Sequence, residues 1–168
     1  MLYVFSNNFL KYKNKIYKCS IGKNGIKKAK VEGDYSTPEG VFNLGPLYYR
    51  KDRLNNIISK KKAFPIKNNM YWSDNINSPY YNKLINLSDN STEKLFRKDN
   101  IYDLVLVIKY NVNPVIKNKG SAIFLHICRK NYTSTKGCIS IKKEDFLEII
   151  KDLGKHEKIK IINSQISA

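Results

Sequence analysis

Residues 1–21 alternate loosely between apolar and polar side chains, with Leu2, Val4, Ile16, Tyr17 and Ile21 as apolar positions. This pattern predicts two short strands with "NNFLKYKNK" between them as a turn, and "GKNG" (22–25) as a second turn. "KKAKVEGDYSTPEGVFNLG" predicts a strand, a Gly-Asp turn, a Thr-Pro start, and a short strand over 41–44 that stops at Gly45-Pro46. Residues 46–98 show no clear period, and a stretch of that length usually wraps a core or carries function. Inside it, "STEKLF" (91–96) predicts a capped helical turn.

The second half is more regular. "IYDLVLVIKY" (101–110) is a near-continuous apolar run of β-branched and aromatic residues, the pattern of a central strand. "GSAIFLHI" (120–127) and "GCISI" (137–141) predict two further strands, the first ending near His126. In "KKEDFLEIIKDLG" (142–154), Phe146, Ile149, Ile150 and Leu153 share one face at helical spacing. Glu144 and Asp145 lie in the first turn, where the helix dipole favours them, and Gly154 is placed to stop the helix. "EKIKIIN" (157–163) alternates and predicts a closing strand. The expected architecture is mainly β, with one substantial helix after the "GCISI" strand.

Composition narrows the picture. A chain of 168 residues with 42% hydrophobic side chains suits a single domain over 1–168 with its own core. Tyrosine is abundant, 12 residues against 7 Phe and 1 Trp, which favours pleated, half-buried surfaces. The net charge of +17 attracts anionic partners, and nucleic acid is the first to consider. The lysines are spread along the chain and no nucleic-acid fingerprint accompanies them, so the reading is a generally basic surface rather than a specific nucleic-acid site. No apolar run reaches membrane-spanning length, and "MLYVFSNNFLKYKNK" has neither a basic leader nor a small-residue cleavage site. The three cysteines, Cys19, Cys128 and Cys138, are too few and too irregular for a disulfide framework.

The stretch "HICRKNYTSTKGC" (126–138) holds the candidate chemistry. Three readings compete. His126, Cys128 and Cys138 supply three metal ligands, but a structural zinc site takes four at other spacings. Alternatively, the cysteines are small buried hydrophobes. In the third reading Cys138 is a nucleophile and His126 the base that takes its proton. His126 ends one predicted strand and Cys138 opens the next, so both side chains can reach one rim of a sheet. Gly137 lets a carbonyl approach closely, and amides near Gly137 and Cys138 suit an oxyanion.

Taken in order, "TPEGVF", "YWSD", "YDLVLVIKYN", "GSAIFLH" and "STKGCISI" resemble the YkuD-type L,D-transpeptidase catalytic domain, in a compact single-domain branch, over roughly residues 17–163. The resemblance implies a YkuD-like β-sandwich of mixed sheets and a peptidoglycan L,D-transpeptidase. Cys138 would form a thioester with a donor stem peptide, His126 would manage protons, and the Gly137 and Cys138 amides would form the oxyanion hole. An L,D-carboxypeptidase or endopeptidase on the same scaffold is the near alternative, and a basic binding module for an anionic polymer the distant one. The resemblance further implies peptidoglycan stem peptides as partners, no cofactor, no metal, a monomer, and wall chemistry in the periplasm, with a cytoplasmic location as the alternative because no signal peptide is visible. The His-to-Cys interval, Lys136 before Gly137, and Ser140 after the cysteine depart from the commonest family pattern; these departures bear on donor specificity rather than on thiol chemistry.

The remaining candidates are substrate-binding positions. Arg129 has the forked guanidinium that suits a stem carboxylate. Thr135 matches the Ser/Thr of the motif and would support its loop. Lys136 and Ser140 flank the cysteine, Tyr110 and Asn111 lie at a strand end where loop closure explains them as well, and Trp72 with Asp74 would shape a cleft wall, although core packing suits Trp72 better. Arg50, Asp52 and Arg53 read as an ion-pair knot, His156 as exposed and idle, and Thr37-Pro38-Glu39-Gly40 as scaffold.

Overall fold

The structure is a computed structural model and describes residues 1–88 and 90–167. The strands in chain order are β1 (Leu2–Phe5), β2 (Phe9–Tyr12), β3 (Lys15–Ser20), β4 (Ile26–Lys27), β5 (Thr37–Pro38), β6 (Gly40–Tyr49) and β7 (Ala63–Pro65). They continue as β8 (Tyr71–Ser73), β9 (Leu84–Ile85), β10 (Thr92–Lys94), β11 (Leu104–Ile108), β12 (Phe124–Ile127), β13 (Ile139–Ile141) and β14 (Lys158–Ile162), with helix α1 (Lys143–Asp152) between the last two. The expected mainly β class, with its helix after the "GCISI" strand, is what the chain adopts.

Two layers face each other. One contains β2, β1 and β14; the other contains β11, β12 and β13. The strands β3 and β6 turn the corners. β3 pairs with β2 through residues 15–18 and with β13 through Cys19 and Ser20. β6 pairs with β14 through residues 40–43 and with β11 through residues 44–49. Between the layers lies the main core, with Leu2, Leu10, Leu47, Leu106, Leu125, Ile139 and the helix residue Phe146 each 0% exposed.

The layer β11–β12–β13 is buried on both faces, which is why its sequence is nearly unbroken in hydrophobicity. Leu104, Leu106 and Ile108 point into the main core. The alternate residues Val105, Val107 and Phe124 join Trp72, Leu95 and Tyr102 in a second cluster on the other face. The three-stranded sheet β10–β8–β9 supplies part of that cover. Phe124 is its centre: it is 0% exposed and meets the edges of Trp72 at 5.2 Å and Tyr102 at 5.9 Å between ring centroids. Phe124→Ala removes this ring from a packed site and is expected to cost about 3–5 kcal/mol. Urea unfolding should show it as a lower midpoint at unchanged slope.

Three expectations are corrected here. "NNFLKYKNK" is not one turn, because β2 runs through it, flanked by tight turns at Asn8 and Lys13 with φ of 64° and 52°. Those turns use left-handed Asn and Lys rather than glycine, so nothing in the apolar pattern marks them. β6 does not stop at Gly45-Pro46. Gly45 packs against Val107, where a β-carbon would lie 3.1 Å from Val107 Cβ, at the bulge where β11 shifts register. A bulge tolerates proline because no ladder donor is needed there. "STEKLF" is not a helical turn, since β10 pairs with β8 and buries Leu95. Tertiary pairing overrides the capping signal.

Candidate functional site

The parallel pairing of β12 and β13 creates the site. It sets Leu125 beside Ile139 and His126 beside Ser140. Neighbours across a ladder share a face, and so do residues two apart along a strand. Cys138, two residues before Ser140, therefore joins Phe124 and His126 on the face turned away from the main core. A cleft of about 540 Å³ opens there, lined by both Cys138 and His126.

Cys138 is half-buried, and its thiol is engaged by the start of the neighbouring strand. It donates to Ala122 O at 3.1 Å and accepts from Phe124 N–H at 3.4 Å. Burial pushes the thiol up to about 12; the Phe124 N–H works the other way, Glu93 adds to the rise, and Lys30 opposes it. His126 is 7% exposed, with Nδ1 2.9 Å from Ile127 O. A carbonyl only accepts, so Nδ1 carries the proton and Nε2 keeps the lone pair. Burial pushes this imidazole down from 6.5 to about 4, with Arg129 and Arg97 adding to the fall against the Ile127 bond. The resting pair is thus a neutral thiol and a neutral imidazole, and no S–H···N bond joins them among the described residues. Catalytic hydrogen bonds of this kind often form only when substrate enters.

The motif loop is tied to residues 20–37. Thr135 N–H donates to Ile21 O, and Lys23 N–H donates to Thr135 O at 2.9 Å. Thr37 Oγ1, fully buried, donates to Gly137 O at 2.8 Å and accepts from Gly22 N–H at 2.8 Å. Thr135 Oγ1 donates to Cys138 O at 2.5 Å and accepts from Gly137 N–H at 3.1 Å. One difference follows: the Gly137 amide is occupied, whereas the Cys138 N–H has no acceptor among the described residues. Gly137 is required for its conformation. Its φ is +139°, and a β-carbon would lie 2.8 Å from Ser36 O.

The substrate-binding candidates divide. Arg129 and Lys136 line the cleft as exposed side chains, and Thr135 and Ser140 line it from within. Ser140 is 1% exposed and its Oγ finds no partner among the described residues. Trp72, Tyr110 and Asn111 are corrected, since none lines the cleft. Trp72 is 7% exposed, and its Nε1 donates to Asn82 Oδ1 at 2.9 Å. The same Asn82 oxygen accepts from Ala122 N–H at 3.0 Å, while its amide nitrogen donates to Tyr110 O and Asn111 O. Asn111 Nδ2 donates to Ile116 O and Gly120 O, and Tyr110 Oη donates to Lys119 O at 2.5 Å. These residues hold the segment that receives the Cys138 thiol, behind the cleft wall. Cys128 lies outside the cleft and gives its N–H to Ile141 O. Among the described residues no three His, Cys, Asp or Glu side chains converge on one point as metal ligands do. The Arg50–Asp52–Arg53 group is structural but is two pairs rather than one knot: Arg50, 4% exposed, grips both Asp52 oxygens at 2.8 and 2.6 Å, and Arg53 pairs with Asp103 at 2.9 Å.

Sequence reasoning missed Tyr102, its partner Glu93 and Lys30 among the residues that line the cleft. Tyr102 sets its ring edge-on to His126 at 5.3 Å and donates to Glu93 Oε1 at 3.0 Å. Lys30, 4% exposed, lies beside Gly137 and pairs with Asp34 at 2.8 Å. Lys30 was one among 31 basic residues, and nothing local separates it from the rest. The run of apolar neighbours around Tyr102 made it look like core.

The sequence matches the YkuD family, the L,D-transpeptidase catalytic domain, over residues 1–161. The chain belongs to the YkuD family. This is a family of cysteine-based transpeptidases and peptidases of peptidoglycan. No sequence relative was found among curated proteins. Two solved structures are similar to this YkuD chain: the helical cell shape determining protein Pgp2 from Campylobacter jejuni and a point mutant of it. The mutant is 16% identical with a TM-score of 0.48, and the unmutated protein 14% identical with a TM-score of 0.46. Each comparison covers 98% of this chain, which spans about half the length of those structures, 47% and 48%. Among the described residues no helix is long and apolar enough to cross a membrane.

Proposed function

We propose that this YkuD protein is an L,D-transpeptidase that cross-links peptidoglycan stem peptides through a Cys138 thioester. The observation that carries the reading is the shared cleft wall: Cys138 and His126 lie on one face of adjacent parallel strands, and the His126 Nε2 is left with a free lone pair. In the first half-reaction the sulfur turns from Ala122 O toward a donor carbonyl, and Nε2 takes its proton. The S–C bond forms, the C–N bond of the donor breaks, and the imidazolium returns the proton to the leaving amine. An acceptor amine then attacks the thioester and gives its proton to His126. The C–S bond breaks, a new amide remains, and the proton returns to the thiolate. The Cys138 N–H faces the charge that develops on the carbonyl oxygen.

Arg129 and Lys136, exposed at the rim, are read as grips for stem carboxylates, and the net charge of +17 as what holds the enzyme near an acidic polymer at low salt. The chemistry belongs in the periplasm and needs one copy of the chain and no cofactor. Incubating the protein with purified sacculi, digesting with a muramidase and weighing the muropeptides tests the reading. New cross-linked dimers are the expected product. Shortened monomers alone would assign water as the acceptor and make the enzyme a carboxypeptidase, while an unchanged profile from folded protein would overturn the proposal.

A further inference from the structure

Lys30 is 4% exposed, on the turn that follows β4. Lysine is almost never buried to this degree unless it is paired. Its aliphatic stem lies across Gly120, where a β-carbon would be 2.8 Å from Lys30 Cε. Its ammonium then reaches the motif loop, where a β-carbon on Gly137 would be 3.5 Å from Nζ. Gly120 and Gly137 have φ of +106° and +139°, so both places through which this side chain passes are closed to other residues. The amine has three donors, and one is spent on Asp34 Oδ1 at 2.8 Å.

The partner is itself fixed. Asp34 accepts from Val31 N–H and Ser36 N–H, both at 2.9 Å. Burial works against its carboxylate, yet the bonds from Lys30, Val31 and Ser36 hold it well below the usual carboxylate range. The pair is a preorganised dipole with its positive end toward Gly137 and Cys138. At the sulfur, the charges that act are Lys30, which favours the thiolate, and Glu93, which disfavours it. His126 is neutral at rest and contributes no charge of its own; Tyr102 turns its hydroxyl to Glu93, and Arg97, Arg129 and Lys136 stand on the cleft walls.

We infer that Lys30 is a positioning residue whose buried charge stabilises the Cys138 thiolate, and that Asp34 sets how much of that charge the sulfur feels. The inference rests on reading Cys138 as the nucleophile, but its test does not need peptidoglycan. The measurement is the pH dependence of Cys138 alkylation by iodoacetamide, an uncharged reagent. The site is resolved by peptide mass mapping because Cys19 and Cys128 are also free thiols. Lys30→Met should raise the apparent pKa of the thiol by about one pH unit. Alkylation at pH 7 should slow about threefold to tenfold, since a smaller thiolate fraction is partly offset by greater intrinsic nucleophilicity. Lys30→Arg, which keeps the charge, should recover part of the rate. Asp34→Asn should act in the opposite sense and speed alkylation, because the ammonium is no longer neutralised.

A purely structural role for the pair would move Lys30→Met and Asp34→Asn in the same direction. A folded Lys30→Met with the wild-type pH profile, or slowing in both variants, would overturn the inference. If Lys30→Met does not fold, Asp34→Asn decides alone: acceleration supports the role, and an unchanged or slower rate sinks it. A protein that is inert on sacculi yet shows these opposed shifts would overturn the peptidoglycan reading while leaving the role of Lys30 in place.

Discussion

Cys138→Ala is expected to abolish covalent capture of a carbapenem while leaving the fold intact. A thiolate that attacks the strained lactam carbonyl opens the ring, and no fragment need leave, so intact mass should rise by one whole carbapenem on wild type. Alanine removes only the sulfur from a half-buried position whose own contacts are weak, a donation to Ala122 O and an acceptance from Phe124 N–H. The melting temperature should therefore move little, while turnover should fall on the order of a millionfold, as for other covalent enzymes stripped of their nucleophile. Because Cys19 is buried and Cys128 lies outside the cleft, neither can substitute. An adduct of equal yield on Cys138→Ala would show that another residue is the nucleophile.

His126→Gln separates two consequences of one burial. Catalytically, it removes the His126 Nε2 lone pair from the thiol's cleft, and the acylation rate should drop by about 10²–10⁴, the usual worth of a positioned general base. Thermodynamically, the same change should make the protein more tolerant of acid. The folded imidazole titrates at about 4 rather than 6.5, so between those values the unfolded chain binds more protons than the native one. Stability is then fully present above 6.5 and is lost as pH falls through about 4, by roughly 3 kcal/mol in total. Glutamine has no such titration. Urea midpoints measured from pH 7 to pH 4 should fall less for His126→Gln than for wild type, and parallel curves would refute the buried, neutral imidazole.

How much of this was legible in the sequence depended on whether a feature was local. β11, β12, β13 and α1 are read easily because their layer is apolar on both faces and the helix has a single apolar stripe. The motif from His126 to Cys138 is legible because its chemistry and its strand ends coincide. The turns at Asn8 and Lys13 are not, since left-handed residues without glycine leave no mark. Nor is the continuation of β6 across Gly45-Pro46, where β6 carries the extra residue of a bulge opposite Val107 of β11. Trp72, Tyr110 and Asn111 carry the right residue types for a binding wall, but their partners, Asn82, Lys119 and Gly120, turn them into struts. Lys30 is hidden for the converse reason. Its meaning comes from two glycines and a cysteine far along the chain, and no window around it contains them.

The parallel course of β12 and β13 has one more consequence. A chain that leaves one strand and enters its neighbour in the same direction must travel back the full strand length, and such returns ordinarily take a dozen residues or more. Here residues 128–138 make the journey, interrupted only by the 3-10 turn Lys130–Tyr132. That return is close to its minimum, so deletions within it should drag Cys138 out of line with His126. Insertions need not: added residues can bulge into solvent while the anchors at Thr135 and Gly137 keep the cysteine where it is. The segment beside the cleft is therefore free to lengthen over evolution and to reshape what enters, whereas the distance between base and sulfur is inherited from the sheet.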